Sequence, residues 1–501
     1  MTEDILWIIF MMNAVSYESL EADHDEEHDS DYLPLDTTRI TSQVCREWRQ
    51  ILLETSSIWG RLMDWRSLNQ ETDHWRNEVL RRSGKSLIWI EGYADDHDNP
   101  KDCTLLFFHR LVFDHWERIE RLSCFPTQYK LIEGLQTAIQ RPAPNLEVFT
   151  LPDSPGDYHE FRGSMFAGDS PRLKIFRAIG SRCNLDAAWM TNIRELSLGR
   201  LFNNKTVSHV LAHLPRLESL ELDRHTIVDG YRPPHIYLPS LRTLKLWECI
   251  SYLPYIDPAP GCALFLWNES RSDILAFHDR RIAQMLHSFL FFHPAKRIHL
   301  ECRPSAFILS ERQLPHPVHN TPGYSMFDIN LVLDPESSND VLESLLSTLA
   351  SPLFSSATDL TLMCCVLNAS VFGAFKRFMT FFPALKNLWI HEQDLLMLFQ
   401  DGMTDRNPLI FPNLCTLVVL GLSPLDKNKS STNLIRRFLS LRQVLGAPIM
   451  SVDLTRCSIR ETSRNLDFLG EYAGMKVMWK RCNKILVYEC GNGPLEDLRF
   501  C

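Results

Sequence analysis

The sequence predicts an α/β chain: a small helical module at the amino terminus, followed by an irregular solenoid of short strands and helices. Three observations carry that expectation. The pattern Pro-x-Leu-x-x-(Leu or Phe) recurs six times from residue 140 onward. Amphipathic helical stretches alternate with its copies, and the first 60 residues show helical spacing without the motif.

The copies begin at Pro144, Pro171, Pro215, Pro239, Pro383 and Pro412. In each, the last motif position and the residue two further on are both apolar, as in Leu220 with Leu222 or Leu388 with Ile390. Apolar residues two apart share one face of a strand, so each copy reads as a short strand with one buried side. The proline halts the preceding helix and sets an extended entry. A copy without proline, Ile193 to Leu198, fills a gap, giving spacings of 27, 20, 24 and 24 residues, and later 29 from Leu385 to Leu414. Degenerate copies are expected at "AKRIHLE", "ATDLTLM", "IMSVDLT" and "NKILVYE". Between them, Val207, Val210, Leu211 and Leu214 form one helical stripe, and Leu342, Leu345, Leu346 and Leu349 another. Ile435, Phe438, Leu439 and Leu445 form a third, interrupted by Arg442. Strand, loop and helix every 20 to 30 residues resembles a leucine-rich-repeat array, with diverged units. A doubly wound sheet would alternate similarly, but no glycine-rich phosphate turn follows any strand.

The amino-terminal run Glu3 to Ala14 reads as a helix that is apolar almost all round and needs partners on more than one side. Glu18 to Asp31 holds eight acids with His24 and His28 and is expected to be a solvated loop. Beyond it, Ile40, Val44, Trp48 and Ile51 are spaced 4, 4 and 3 apart, one face of a single amphipathic helix. Ile58-Trp59 adds a further anchor.

"EDILWIIFMM" and "ITSQVCREWRQILLETSSIWGRL" together resemble the two halves of an F-box, in the fungal form that carries an insertion between them. Here the insertion spans 16–36, and the family's usual opening Leu-Pro is replaced by Met1-Thr2. The segment "WRNEVLRRSGKSLIWIEG" is similar to the helix-to-strand stretch that succeeds the F-box in large fungal families. The resemblance implies three regions: an F-box-like module at 1–66, a connecting segment at 67–140, and the repeat array at 141–501. It also implies a partner, the Skp-type adaptor of a cullin–RING ubiquitin ligase. The matching residues Ile5, Leu6, Ile9, Phe10, Ile40, Val44, Cys45, Trp48, Ile51 and Trp59 are the expected docking set. The array would then hold a client protein. Its alternate strand positions Ser219, Glu221, Asp223, Thr243, Lys245, Trp247, Asn387, Trp389, His391 and Thr416 would form the exposed face. Of these, Glu221, Asp223, Lys245, Trp247, Trp389 and His391 are the client-binding candidates. The alternative is an F-box scaffold that binds a partner without assembling a ligase.

Charge narrows the field. Residues 1–36 carry eleven acids and no Lys or Arg, which leaves 51 acidic against 52 basic side chains in the rest. A nearly neutral body gathers neither nucleic acid nor anionic membrane. The longest apolar run, Ile5 to Met12, comes after Glu3 and Asp4 rather than a basic region and is too short to span a bilayer. The expectation is a soluble protein of the cytoplasm, the nucleus or both. The fourteen cysteines are scattered without Cys-x-x-Cys spacing, and the adjacent pair Cys364-Cys365 does not suit a zinc site, so free core thiols are expected. Gly84-Lys85-Ser86 lacks the earlier glycine a phosphate loop requires, and His287, His293 and His299 match neither a helix face nor a metal hairpin. No catalytic residue, metal or cofactor is expected.

Overall fold

The computed structural model describes residues 3–14, 33–93, 101–125, 135–151, 159–161, 163–224, 231–269, 279–311, 326–334, 338–364, 368–398, 409–422, 434–457, 466–481 and 484–492. The acidic run with His24 and His28, and Cys365, lie outside them. The chain is mixed α/β with mostly parallel strand pairing. It divides into two compact units: Met1–Lys245 with Tyr255–Ala259, and Leu246–Pro254 with Pro260–Cys501.

In the first unit the strands pair in chain order. Met63–Asp64, Ile88–Tyr93, Ile119–Phe125, Val148–Thr150, Ile175–Ala178, Glu195–Leu198 and Ser219–Asp223 each lie parallel to the next. A second ladder forms just ahead of the strands, where Lys174 N–H donates to Glu147, Arg194 to Lys174, Glu218 to Arg194 and Arg242 to Glu218. Each repeat is thereby bonded to its predecessor before its strand begins. The leucine of the motif sits in that turn, and Leu146, Leu173, Leu217 and Leu241 are all buried. Alternate strand residues such as Phe149, Phe176, Leu196 and Leu220 point inward. Phe149 and Phe176 stack with centroids 6.1 Å apart, so neighbouring repeats share an aromatic column. Gly199 closes one turn tightly, since a Cβ there would collide with the Ile179 carbonyl oxygen.

The second unit departs from this serial order. Ala263–Asn268 lies parallel to Asp328–Val332, a strand that arrives out of turn. Asp328–Val332 then pairs antiparallel with Ala306–Glu311, which pairs antiparallel with Arg297–Arg303. From Arg297–Arg303 the parallel series resumes through Asp359–Cys364, Asn387–Ile390, Thr416–Val419, Ser451–Asp453 and Lys476–Arg481. The helix Ser338–Leu349 buries the expected stripe Leu342, Leu345, Leu346 and Leu349 completely.

Two sequence expectations need correction here. "NKILVYE" is not a parallel repeat copy. Lys484–Glu489 runs antiparallel to Lys476–Arg481 as the return arm of a hairpin, with Ile485 and Val487 exposed. The strand that continues the series is "KVMWKR", whose charged ends concealed it. The third helical stripe is also different. Leu445 is exposed, while Arg442, read as an interruption, is buried in the helix Leu434–Val444. Its guanidinium donates to the carbonyls of Ala447, Ile410, Phe411 and Leu414, so the cation serves as a clamp on the neighbouring turn.

Gly84 ends the helix His74–Ser83 at φ 50°, a C-terminal cap. His287 faces the Leu349 carbonyl oxygen at 3.4 Å, His293 lies against Phe289, and His299 is buried within its strand. Cys45, Cys103, Cys183, Cys249, Cys262, Cys302, Cys364, Cys415, Cys457 and Cys490 are free thiols. Among the described residues no helix is long and apolar enough to cross a membrane.

Candidate functional site

Among the described residues four short helices come first: α1 (Glu3–Asn13), α2 (Pro34–Thr41), α3 (Arg46–Glu54) and α4 (Ser56–Gly60). The single helix expected from Ile40 to Ile51 is in fact two. Pro34 occupies the first turn of α2, and Ser42 closes it by donating its hydroxyl to the Arg39 carbonyl at 2.6 Å. Cys45 turns extended at φ −153° and its sulfur accepts from the Trp48 N–H at 3.5 Å, acting as the N-cap of α3. Val44 and Cys45 therefore sit in the link, and the i,i+4 spacing ran across a break.

Helix α1 packs one stripe inward. Leu6, Phe10 and Ala14, at i, i+4 and i+8, are buried, and the Phe10 ring meets Trp48 of α3 edge-on with centroids 5.4 Å apart. Leu35, Ile51 and Leu52 complete this small core with Trp59, whose indole N–H donates to the Leu52 carbonyl at 2.6 Å. The opposite stripe has no cover within the described chain. Ile5 is 48% exposed, Ile8 50%, Ile9 38% and Met12 63%, at i, i+3, i+4 and i+7. In the second half Ile40 (49%) and Val44 (60%) are exposed as well, with Arg39, Cys45, Arg46 and Arg49 exposed beside them. Enclosing such side chains contributes on the order of 1–2 kcal/mol each.

The ten expected docking residues thus fall into two groups. Ile5, Ile9, Ile40, Val44 and Cys45 are exposed. Leu6, Phe10, Ile51 and Trp59 are buried and shape that surface from beneath, with half-buried Trp48 between the groups. Ile8 and Met12 belong to the exposed stripe and were missing from the expected set, although their spacing from Ile5 and Ile9 identifies them.

The module is fastened directly to the first unit's sheet. Its chain runs from α4 into Met63–Asp64, which pairs with Ile90 and Glu91. Trp89 is held between two guanidinium groups, Arg61 at 4.0 Å and Arg121 at 3.9 Å from the ring centroid, and its indole N–H donates to Glu120. Burial pushes the Glu91 carboxyl upward against the pull of Arg121.

The strand residues facing away from the core form a second candidate surface in each unit. In the first unit register places Glu91, Ser123, Thr150, Arg177, Ser197 and Glu221 in one polar row. Glu221 accepts from the Ser197 hydroxyl at 2.8 Å, and Asp223 and Lys245 are half-buried on the same face of their strands. In the second unit Trp389 lies between Thr361 and Val418, and His391 precedes the short helix Glu392–Leu398. Trp247 packs against Trp267, centroids 5.3 Å apart. Asp394, buried, accepts from the Cys364 N–H at 3.2 Å, and burial raises its pKa.

A cavity of about 390 Å³ opens where the loops after three neighbouring strands of the first unit converge. Its floor is Phe161, Cys183, Leu185 and Phe202, and its rim includes Glu160, Arg182 and Asp186. Burial drives the Cys183 thiol far above its ordinary value, which disfavours a thiolate nucleophile. Among the described residues no group of three or more His, Cys, Asp or Glu side chains could hold a metal ion.

No protein-family model matches the sequence, and no curated protein matches it.

Proposed function

We propose that this chain is a substrate-recognition adaptor of a Skp–cullin–F-box type ubiquitin ligase. On this reading the exposed side of α1, with the Ile40–Val44 link, docks the Skp-type adaptor, and the array of strands behaves as an irregular leucine-rich-repeat-like solenoid that holds the client. Ubiquitin transfer itself is performed by other subunits. One observation carries the reading: α1 buries a full stripe against α2 and α3 and still presents Ile5, Ile8, Ile9 and Met12 to solvent. A short, isolated apolar stripe on a helix already packed on its other side is what a partner-completed helical module would leave uncovered. The resemblance of residues 3–12 and 40–62 to the two halves of an F-box points to the same partner. Direct attachment of the module to the strand ladder supports an adaptor that presents its client from one fixed base.

The test is co-purification of the full chain with a Skp-type adaptor and a cullin. Capture of both supports the ligase reading. Capture of the adaptor without the cullin favours the scaffold that assembles no ligase, and capture of neither rejects both.

A further inference from the structure

The first unit carries a pair of imidazoles that neither the docking of an adaptor nor the strand face uses. His209 stands in the last turn of the helix Asn204–Leu211, and His213 follows four residues later in the turn that closes it. That spacing brings both rings to one side of the helix. Their centroids are 4.7 Å apart, the planes are inclined at 55°, and both residues are exposed. The His213 Nδ1 lies 2.7 Å from the His209 carbonyl oxygen. A carbonyl oxygen only accepts, so Nδ1 carries the proton, and in the neutral ring the lone pair is left on Nε2. Metal-bound imidazoles are commonly held in this way: one ring nitrogen donates to a backbone oxygen and fixes the ring, and the other is left to the ion.

The charge around the pair is mixed. The exposed Asp186 places its Oδ1 4.0 Å from the His209 Nε2, while Lys205 sits one turn before His209 on the same side of the helix. The unpaired carbonyls of the helix end add partial negative charge. The choice of ligand therefore rests on the donor atoms rather than on net charge. Imidazole nitrogen suits first-row transition ions, whereas magnesium and calcium take oxygen ligands. We propose that His209 and His213 form a two-imidazole site for a divalent first-row transition ion, with water completing the coordination shell. Two protein ligands make an exchangeable site, unlike the four of a structural zinc. An ion that spans the two rings ties the closing turn to the helix and stabilises the folded chain according to its occupancy. This inference does not rest on the ligase reading.

The experiment uses the full chain with nickel chloride as the probe and magnesium chloride as the control. Histidine reactivity is read by carbethoxylation with diethyl pyrocarbonate and peptide mass spectrometry, which reports each imidazole separately. Nickel protects His209 and His213 with one shared midpoint and magnesium protects neither, while His74, a single exposed imidazole of the same unit, stays reactive. His213→Ala raises the nickel concentration that protects His209 by about tenfold or more, because one ring then holds the ion alone. His209→Asn does the same to His213. Both substitutions lie at exposed positions, so the unfolding midpoint without nickel stays in place. Absence of protection by nickel, equal protection by magnesium, or protection of each histidine at the wild-type nickel concentration when the other is replaced would overturn the site.

Discussion

Helix α1 and the helix Ser338–Leu349 are alike in length, eleven residues against twelve, but α1 is the more apolar and spends that content differently. In Ser338–Leu349 the apolar stripe is consumed by the second unit, with all four leucines fully buried. In α1 the inner stripe of Leu6, Phe10 and Ala14 is consumed, while Ile5, Ile8, Ile9 and Met12 are left outside. The remaining side of Ser338–Leu349 carries Asn339, Asp340, Glu343 and Ser344, groups content in water. On the outer side of α1 such groups, Asp4 and Asn13, stand only at the ends, and the stretch between them is apolar. A helix that is hydrophobic on two sides and covered on one needs a second surface.

The comparison can be broken from either side. The largest loss is expected where a fully used interior group is removed. Arg442→Met leaves four carbonyl oxygens without their donor and should cost about 3–5 kcal/mol in urea unfolding. A loss below about 1 kcal/mol would show that water replaces the guanidinium at that turn. Next, Leu346→Ala should cost roughly 2–4 kcal/mol, because the helix is sealed on that side and cannot relax into the cavity. By contrast, Ile8→Ser on the outer stripe of α1 should change stability by less than about 0.5 kcal/mol. If Ile8→Ser proved as damaging as Leu346→Ala, the outer stripe would be part of the chain's own core, and the contrast would collapse.

A pH measurement sharpens the picture inside the second unit. Burial raises the Asp394 pKa in the folded state, so the folded form holds a proton that the unfolded form has already released. Stability from this group is full below the ordinary carboxylate pKa and is lost as pH rises through the raised value. Asp394→Asn, which keeps an oxygen for the Cys364 N–H, should flatten that decline in urea midpoints taken from acid to neutral pH. An unchanged profile would place the cause elsewhere.

Much of the architecture was legible because strands and helices leave different periods. The apolar pairs two apart in the Pro-x-Leu motif located Val148–Thr150, Ile175–Ala178, Ser219–Asp223, Thr243–Trp247, Asn387–Ile390 and Thr416–Val419. What escaped shares a physical reason in each case. Cys45 caps α3 through a weak sulfur acceptor, outside the usual Ser, Thr, Asp and Asn vocabulary, so the break between α2 and α3 was invisible. Arg442 read as an interruption of its stripe because a buried cation satisfied by carbonyls has no pattern in a binary reading. The out-of-turn strand Asp328–Val332 depends on long-range pairing that local spacing cannot encode. At the candidate docking site the inner half was named with the outer: Leu6 and Phe10 satisfy the same apolar spacing as Ile5 and Ile9, and only packing separates them.

The measurement that bears most directly on the partner-completed helix is affinity for a purified Skp-type adaptor, by calorimetry, for the wild-type chain and for Ile9→Asp. The account predicts saturable one-to-one binding by the wild type and a loss of at least about tenfold in the variant, since a charge would be placed against an apolar partner, with an unfolding midpoint that stays in place. Equal affinity of the two chains, or no binding by either, would contradict it.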